Sequence, residues 1–190
     1  MPQPPLVQVS GASGRGKSTS AELHAGELHL LRLMKDAIKG TLADTLGGPA
    51  PAAGERLSGA AFQVLCEVAR RPLLADAGAV AEGDFFEVEV GVLVRPSLPL
   101  NSPVLVHCHA DHAVAIERYK TRYRQGHRHA VRHDLHVIAG LDGSEITKSW
   151  NESKPLNLGI LSLVVNTTDQ YDPPVANVTA FVRQATGQAA

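Results

Sequence analysis

Residues 11–18 read Gly-Ala-Ser-Gly-Arg-Gly-Lys-Ser, a complete G-x-x-x-x-G-K-[ST] pattern. Its flanks turn the pattern into a constraint on the fold. Leu6-Val7-Gln8-Val9 is a short apolar run that reads as a buried strand, and Ser18 to Leu23 begins a helix. Strand, glycine-rich turn and helix together give the pattern its physical meaning. Gly11, Gly14 and Gly16 let the backbone curl so that successive N–H groups point inward. The positive end of the following helix adds to this anion cradle. Gly11, Ala12, Ser13, Gly14, Arg15, Gly16, Lys17, Ser18 and Thr19 are therefore expected to bind a nucleoside triphosphate. Lys17 would reach the β- and γ-phosphates, and the Ser18 hydroxyl would bind Mg²⁺. Without nucleotide, Lys17 is expected to be exposed.

Strand and helix signals then alternate, as in an α/β fold built on a parallel sheet. Leu30–Met34 reads as a second strand and Ala37–Leu46 as a helix. Gly47–Gly54 reads as a loop by composition, and Leu57–Ala75 as a longer helix that Pro72 should kink or interrupt. Ala79–Ala81, Val104–Cys108 and Leu161–Val165 read as further strands. Asp111–Gln125 reads as a basic helix and Val175–Gln184 as the closing one. Glu87–Val94 alternates as a half-buried strand would, yet sits where such a fold would place a helix, and the pattern does not choose.

The 190 residues, 44% of them hydrophobic, suit one compact domain over 1–190 with a small mobile lid. A net charge of −1 offers no basic face for a large polyanion, and 4% aromatic content leaves few platforms for stacking bases. Nucleic acid is thus a disfavoured partner. Met1–Pro5 is too short and too uncharged for a signal peptide, and no apolar run is long enough to span a membrane. Cys66 and Cys108 sit among apolar neighbours, as buried thiols do. A cytoplasmic location without disulfides is expected.

Asp36 ends the second strand, expected to lie next to the loop strand, at the sheet edge where ligands of open α/β folds bind. A carboxylate there can accept the proton of a substrate hydroxyl, or it can simply cap the next helix. Arg118, Arg122 and Gln125 share one face of the basic helix, and Ile116, Tyr119 and Tyr123 share the opposite, apolar face. Arg122 on the helix, and Arg128 just beyond Gly126, are candidates to stabilise charge on a transferring phosphoryl group. Arg118, Arg124 and Arg132 read as a solvated basic face. Glu82 and Asp84 follow a thin apolar strand, and either can serve Mg²⁺ or the substrate. His107, His109, Asp111 and His112 cluster, as do His127, His129, His133 and His136, but without an established zinc spacing.

Beyond the loop, four further segments carry a resemblance. They are Lys35-Asp36-x-Ile38-Lys39; Val106-His107-Cys108-His109-Ala110-Asp111; Arg118–Arg122 followed by Gly126-His127-Arg128-His129; and Leu156-Asn157-Leu158 with Val165-Asn166-Thr167-Thr168. The chain resembles the small P-loop kinases grouped with zeta toxins, chloramphenicol phosphotransferase and the kinase domain of polynucleotide kinase. The resemblance implies a three-layer α/β/α P-loop NTPase fold with a mainly parallel five-stranded sheet and a helical lid near 118–134. It implies Asp36 as catalytic base, Lys17, Arg122 and Arg128 as catalytic cations, and Thr167 on the nucleotide side. Asp36, Lys39, Glu82 and Asp84 would face the acceptor. Where many relatives have E-G-N-F-R, this chain has Glu82-Gly83-Asp84-Phe85-Phe86 and lacks the arginine. Arg15 also stands where a small residue is common.

The function implied is transfer of the ATP γ-phosphate, with Mg²⁺, to a hydroxyl of a small molecule such as a nucleoside, antibiotic or sugar. The alternatives are an ATP-hydrolysing or nucleotide-binding regulatory protein and a polynucleotide 5′-hydroxyl kinase. The N-K-x-D of guanine-specific GTPases is absent, as are the strong Walker B and the length of an ABC-type or AAA+ ATPase.

Overall fold

The computed structural model describes residues 4–47, 51–85, 87–94, 102–126, 129 and 159–187. Five strands form one sheet in the order β2-β3-β1-β4-β5, every neighbouring pair parallel. They are β1 (Pro5–Ser10), β2 (Leu31–Met34), β3 (Ala79–Glu82), β4 (Ser102–His109) and β5 (Leu161–Asn166). The helices are α1 (Lys17–Leu28), α2 (Lys35–Leu46), α3 (Pro51–Leu74), α4 (Glu87–Val94), α5 (His112–Arg124) and α6 (Val175–Thr186). This is the three-layer α/β/α arrangement on a parallel five-stranded sheet that the resemblance implies.

A parallel sheet must be covered on both faces, and its strands read as continuous apolar runs for that reason. Central β1 is buried along its whole length. Its side chains alternate between two cores. Leu6 joins Leu33, Phe62, Leu65 and Leu73 on the α3 side, while Val7 and Val9 join Ala21, Val104, Val106 and Val178 on the side of α1 and α6. Cys108 is buried in β4 and Cys66 half-buried on α3, both free. Burial pushes each thiol up to about 11, so neither is a nucleophile at neutral pH. Among the described residues no helix is long and apolar enough to cross a membrane.

Three local expectations are corrected, and one open reading is decided. The strand that leads to Asp36, β2, does not lie next to β1, because β3 stands between them. Residues 51–54, read as loop, are already helical. Proline is well suited to a first helical position, where its missing N–H costs nothing, so Pro51 starts α3 instead of marking a loop. Pro72 does not break α3 where it stands. It lies in the last turn, and its carbonyl accepts bonds from the N–H groups of Ala75 and Ala77 at 2.9 Å each. Glu87–Val94 is helical. Glu89 pairs with Lys35 and Leu93 is buried. Positions 89 and 93 share a face under either a two-residue or a 3.6-residue period, so the alternation alone was ambiguous.

Two glycines show how tightly the loop is seated. Gly14 has φ +82°, and a Cβ there would overlap the carbonyl of Ala115 in α5. Gly11 has φ +131°, and a Cβ there would overlap the carbonyl of Cys108 in β4. Gly26, within α1, has open space around it. Gly14→Ala should therefore destabilise the fold by about 1–3 kcal/mol or more, from backbone strain plus the clash. Gly26→Ala should stabilise it by about 0.5–1 kcal/mol, because alanine loses less backbone entropy in a helix. Urea unfolding midpoints of the two variants, moving in opposite directions, check both.

Candidate active site

The loop leaves β1 at the carboxyl edge of the sheet and enters α1 through Gly16, which caps the helix in a left-handed conformation with φ 76°. Lys17 is not exposed as expected. It is 8% accessible, and Nζ donates to the Ala12 carbonyl oxygen at 3.1 Å. The loop is thus folded back on its own lysine.

The next strand over supplies a carboxylate. Ser18 Oγ donates to Glu82 Oε1 at 2.6 Å. Glu82, at the end of β3, is 4% exposed. Its other oxygen, Oε2, accepts from Arg32 Nη2 at 3.1 Å, and the same nitrogen donates to the Ser18 carbonyl at 2.8 Å. Arg32 carried no expected role. Its only sequence signal was a single charge inside the apolar run Leu30–Met34. Asp84, the other candidate, is exposed and does not line the cavity at the loop. It acts on Arg15, whose guanidinium is pulled below its ordinary value by burial and pushed back up by the Asp84 charge. Arg15 Nη1 also lies 3.4 Å from His109 Nδ1.

A cavity of about 250 Å³ opens on one side of the loop. Arg15, Lys17, Ser18, Asp36, Glu82, Arg122 and His129 line it. Asp36 and Arg122, 86 positions apart in the chain, thus face the same space. Asp36 is not the helix cap. Met34 occupies that position and makes no side-chain cap bond, while Asp36 sits in the first turn of α2. Lys39, one turn further on, does not line this cavity. His129 Nε2 lies 2.8 Å from Asp44 Oδ1 on α2, which sets the imidazole along that helix.

A second cavity of about 660 Å³ lies on the other side of the loop. It is lined by Gly14, Gly16, Ser18 and Thr19 from the loop and α1, by Arg118, Thr121 and Arg122 from α5, and by Thr167 and Tyr171 beyond β5. Thr167 Oγ1 donates to the Arg15 carbonyl at 3.2 Å, so the β5–α6 turn closes on the loop. Arg118 is not on a solvated face. Its Nη2 donates to the carbonyls of Thr167 at 2.7 Å and Thr168 at 2.9 Å. Arg124 does keep to the surface, pairing with Glu117 at 3.2 Å. On the opposite face Tyr119 is buried, but Tyr123 is exposed. Arg128, Arg132, Leu156–Leu158, His127, His133, His136 and the lid positions 130–134 lie outside the described residues.

The Ser18 hydroxyl proton is committed to Glu82, which leaves the oxygen lone pairs available to a cation. One hydroxyl and one carboxylate suit Mg²⁺, which takes its remaining oxygens from phosphate and water. Among the described residues no group of three or more His, Cys, Asp or Glu side chains is assembled for a metal ion.

No curated protein matches the sequence. Three solved structures share the fold over nearly the whole chain. A Chloroflexus aurantiacus j-10-fl protein, to which kinase activity has been ascribed, superposes with a TM-score of 0.80 at 25% identity, over 96% of this chain and 98% of its own. A sugar kinase from Janibacter sp. HTCC2649 gives 0.61 at 17% identity, over 99% and 96%. A gluconokinase from Sinorhizobium meliloti 1021 gives 0.56 at 17% identity, over 98% and 92%. The family described as an AAA domain (AAA_33) matches residues 6–141, and the chain belongs to that family.

Proposed function

We propose that the protein is an ATP- and Mg²⁺-dependent kinase that phosphorylates a hydroxyl of a small molecule. The observation that carries this reading is Asp36 lining the same cavity as Lys17, Ser18, Glu82 and Arg122. The family name alone does not choose between ATP hydrolysis and transfer. A proton-accepting carboxylate facing the phosphate loop favours transfer. The kinase descriptions of the three superposed structures support it further.

In this reading residues 1–190 form one catalytic unit in the cytoplasm. The nucleoside occupies the larger cavity, beside Arg118, Thr167 and Tyr171, and the loop holds the phosphates. Lys17 exchanges one bond to the Ala12 carbonyl for bonds to phosphate oxygens, in which donor and acceptor are both charged. Ser18 and Glu82 hold Mg²⁺, which when bound offsets phosphate charge and orients the triphosphate. Asp36 accepts the acceptor's proton as the acceptor oxygen bonds to the γ-phosphorus and the bond to the ADP oxygen breaks. Arg122, and Arg128 from the lid, stabilise the charge that spreads over the phosphoryl oxygens. Lys39 and Asp84 stand further out as acceptor contacts. Arg118, at the start of the expected lid, is tied to the Thr167 and Thr168 carbonyls.

The test is a screen of fractionated small metabolites for ATP-dependent gain of one phosphate, scored together with ADP release. ADP release that no acceptor raises would make the protein a hydrolase. Labelling confined to 5′-hydroxyl oligonucleotides would make it a polynucleotide kinase.

Two substitutions sharpen the reading. Lys17→Ala should lower phosphoryl transfer at least about 100-fold, as loss of one preorganised charge-stabilising donor does. Melting of that variant should show a loss of about 1.5–3 kcal/mol, the net worth of a hydrogen bond from a charged donor. Asp36→Asn should lower kcat by about 10²–10⁴. The ATP Kd should change little, because a base acts on the acceptor and not on the nucleotide. Unchanged kcat with reduced thermal stability would leave Asp36 a helix-end residue only.

A further inference from the structure

We propose that Arg32 is a positioning residue for the Ser18–Glu82 pair, and that it sets how much Mg²⁺ the protein needs to hold nucleoside triphosphate. This rests on the kinase reading above, in which Ser18 and Glu82 hold the metal. Nothing in the loop pattern points to Arg32. It lies on β2, an edge strand, in register with Val80 of β3, whose side chain packs on the α1 side. From there its guanidinium reaches the first turn of α1.

The contacts close a ring. Arg32 Nη2 donates to the Ser18 carbonyl at 2.8 Å and to Glu82 Oε2 at 3.1 Å. Ser18 Oγ donates to Glu82 Oε1 at 2.6 Å. Arg32 Nη1 adds a longer contact of 3.4 Å to Glu22 Oε2, one turn further along α1. Both oxygens of Glu82 are thereby held, and the carboxylate cannot rotate without breaking a charge-assisted bond. With Glu82 fixed, the Ser18 proton stays directed at it, and the Ser18 oxygen keeps its lone pairs for the metal. The two N–H bonds of Nη2 point in directions that the planar guanidinium fixes, whereas an ammonium's three N–H groups rotate and leave the carboxylate less constrained.

Two consequences of Arg32 oppose each other. Its bonds position the ligands, which favours Mg²⁺. Its charge, paired with Glu82, repels a cation. Glu82 is almost fully buried, and a buried carboxylate that loses its partner loses its defined position too. The positioning effect dominates in this account, and the sign of the response in substituted protein decides it.

The experiment titrates a fluorescent N-methylanthraniloyl ATP into the full-length protein, first in EDTA and then across a Mg²⁺ series. Thermal melts of each variant confirm folding. Arg32→Met is compared with its own EDTA baseline, because losing the bond to the Ser18 carbonyl and one positive charge also lowers metal-free affinity. Its half-saturating Mg²⁺ should rise roughly 10- to 100-fold, as with other residues that hold a metal ligand from behind. Arg32→Lys keeps the charge without the fork and should show a smaller rise; if the Met variant does not fold, the Lys variant decides. Glu22→Gln removes only the exposed contact and should respond like the wild type. A half-saturating Mg²⁺ that is unchanged or lower in Arg32→Met overturns the role of Arg32 and leaves the kinase reading standing. A wild type whose affinity gains nothing from Mg²⁺ overturns the metal assignment and the role of Arg32 together.

Discussion

The phosphate loop rests directly on backbone. At Gly11 and Gly14 the chain comes so close to the carbonyls of Cys108 and Ala115 that a single added carbon would overlap them. Such an approach requires glycine twice over, for space and for positive φ. The rest of the arrangement follows from it. Contact with Cys108 locks the loop to β4, and contact with Ala115 locks it to α5. Because α5 is fixed at that point, Arg118 and Arg122, one and two turns on, come to lie over the loop. From the other side Thr167 closes the cradle, its N–H on the His109 carbonyl at 2.7 Å and its hydroxyl on the Arg15 carbonyl. The cradle is held by three strand ends and a helix, so it is preorganised for an anion.

Within that frame the charges are sorted by what holds them. Glu82 is bound at both oxygens, Lys35 is buried against Glu89, and Arg118 is bound to two carbonyls. Lys35 also sits 5.5 Å and 5.8 Å from the ring centres of Phe62 and Phe85, which fixes the start of α2 immediately before Asp36. Lys17, by contrast, gives one hydrogen bond, to a carbonyl oxygen, that a phosphate oxygen can replace. Structural charges are multiply bonded, while the charge proposed to meet the γ-phosphate is lightly held.

What was legible in the sequence was local. The loop announces itself in eight consecutive residues, and its flanking strand and helix are contiguous with it. The place of Asp36 at the loop cavity was legible because a strand end in an α/β sheet has a known use. The choice between Glu82 and Asp84 was not, because it depends on which carboxylate meets Ser18, a partner 64 residues away. Arg32 escaped notice for the same reason, with Ser18 and Glu82 14 and 50 positions distant. Helical spacing alone made Arg118 a solvent-facing residue, since nothing local signals the two carbonyls it binds. Residues 51–54 misled by composition, for glycine and proline mean loop only until position within a helix is known. The acceptor side was the least legible, since 47–56 and 84–103, where specificity was expected to lie, carry no readable code for it.

The central claim is that the loop divides two spaces, with nucleoside on the Thr167 side and phosphoryl transfer on the Asp36 side. A crystal structure with a non-hydrolysable ATP analogue and Mg²⁺ tests it most directly. The account predicts the base beside Arg118 and Tyr171, with the terminal phosphate between Lys17 and Arg122 in the cavity that Asp36 lines. A nucleoside seated against Asp36, with its terminal phosphate directed away from Arg122, would contradict it.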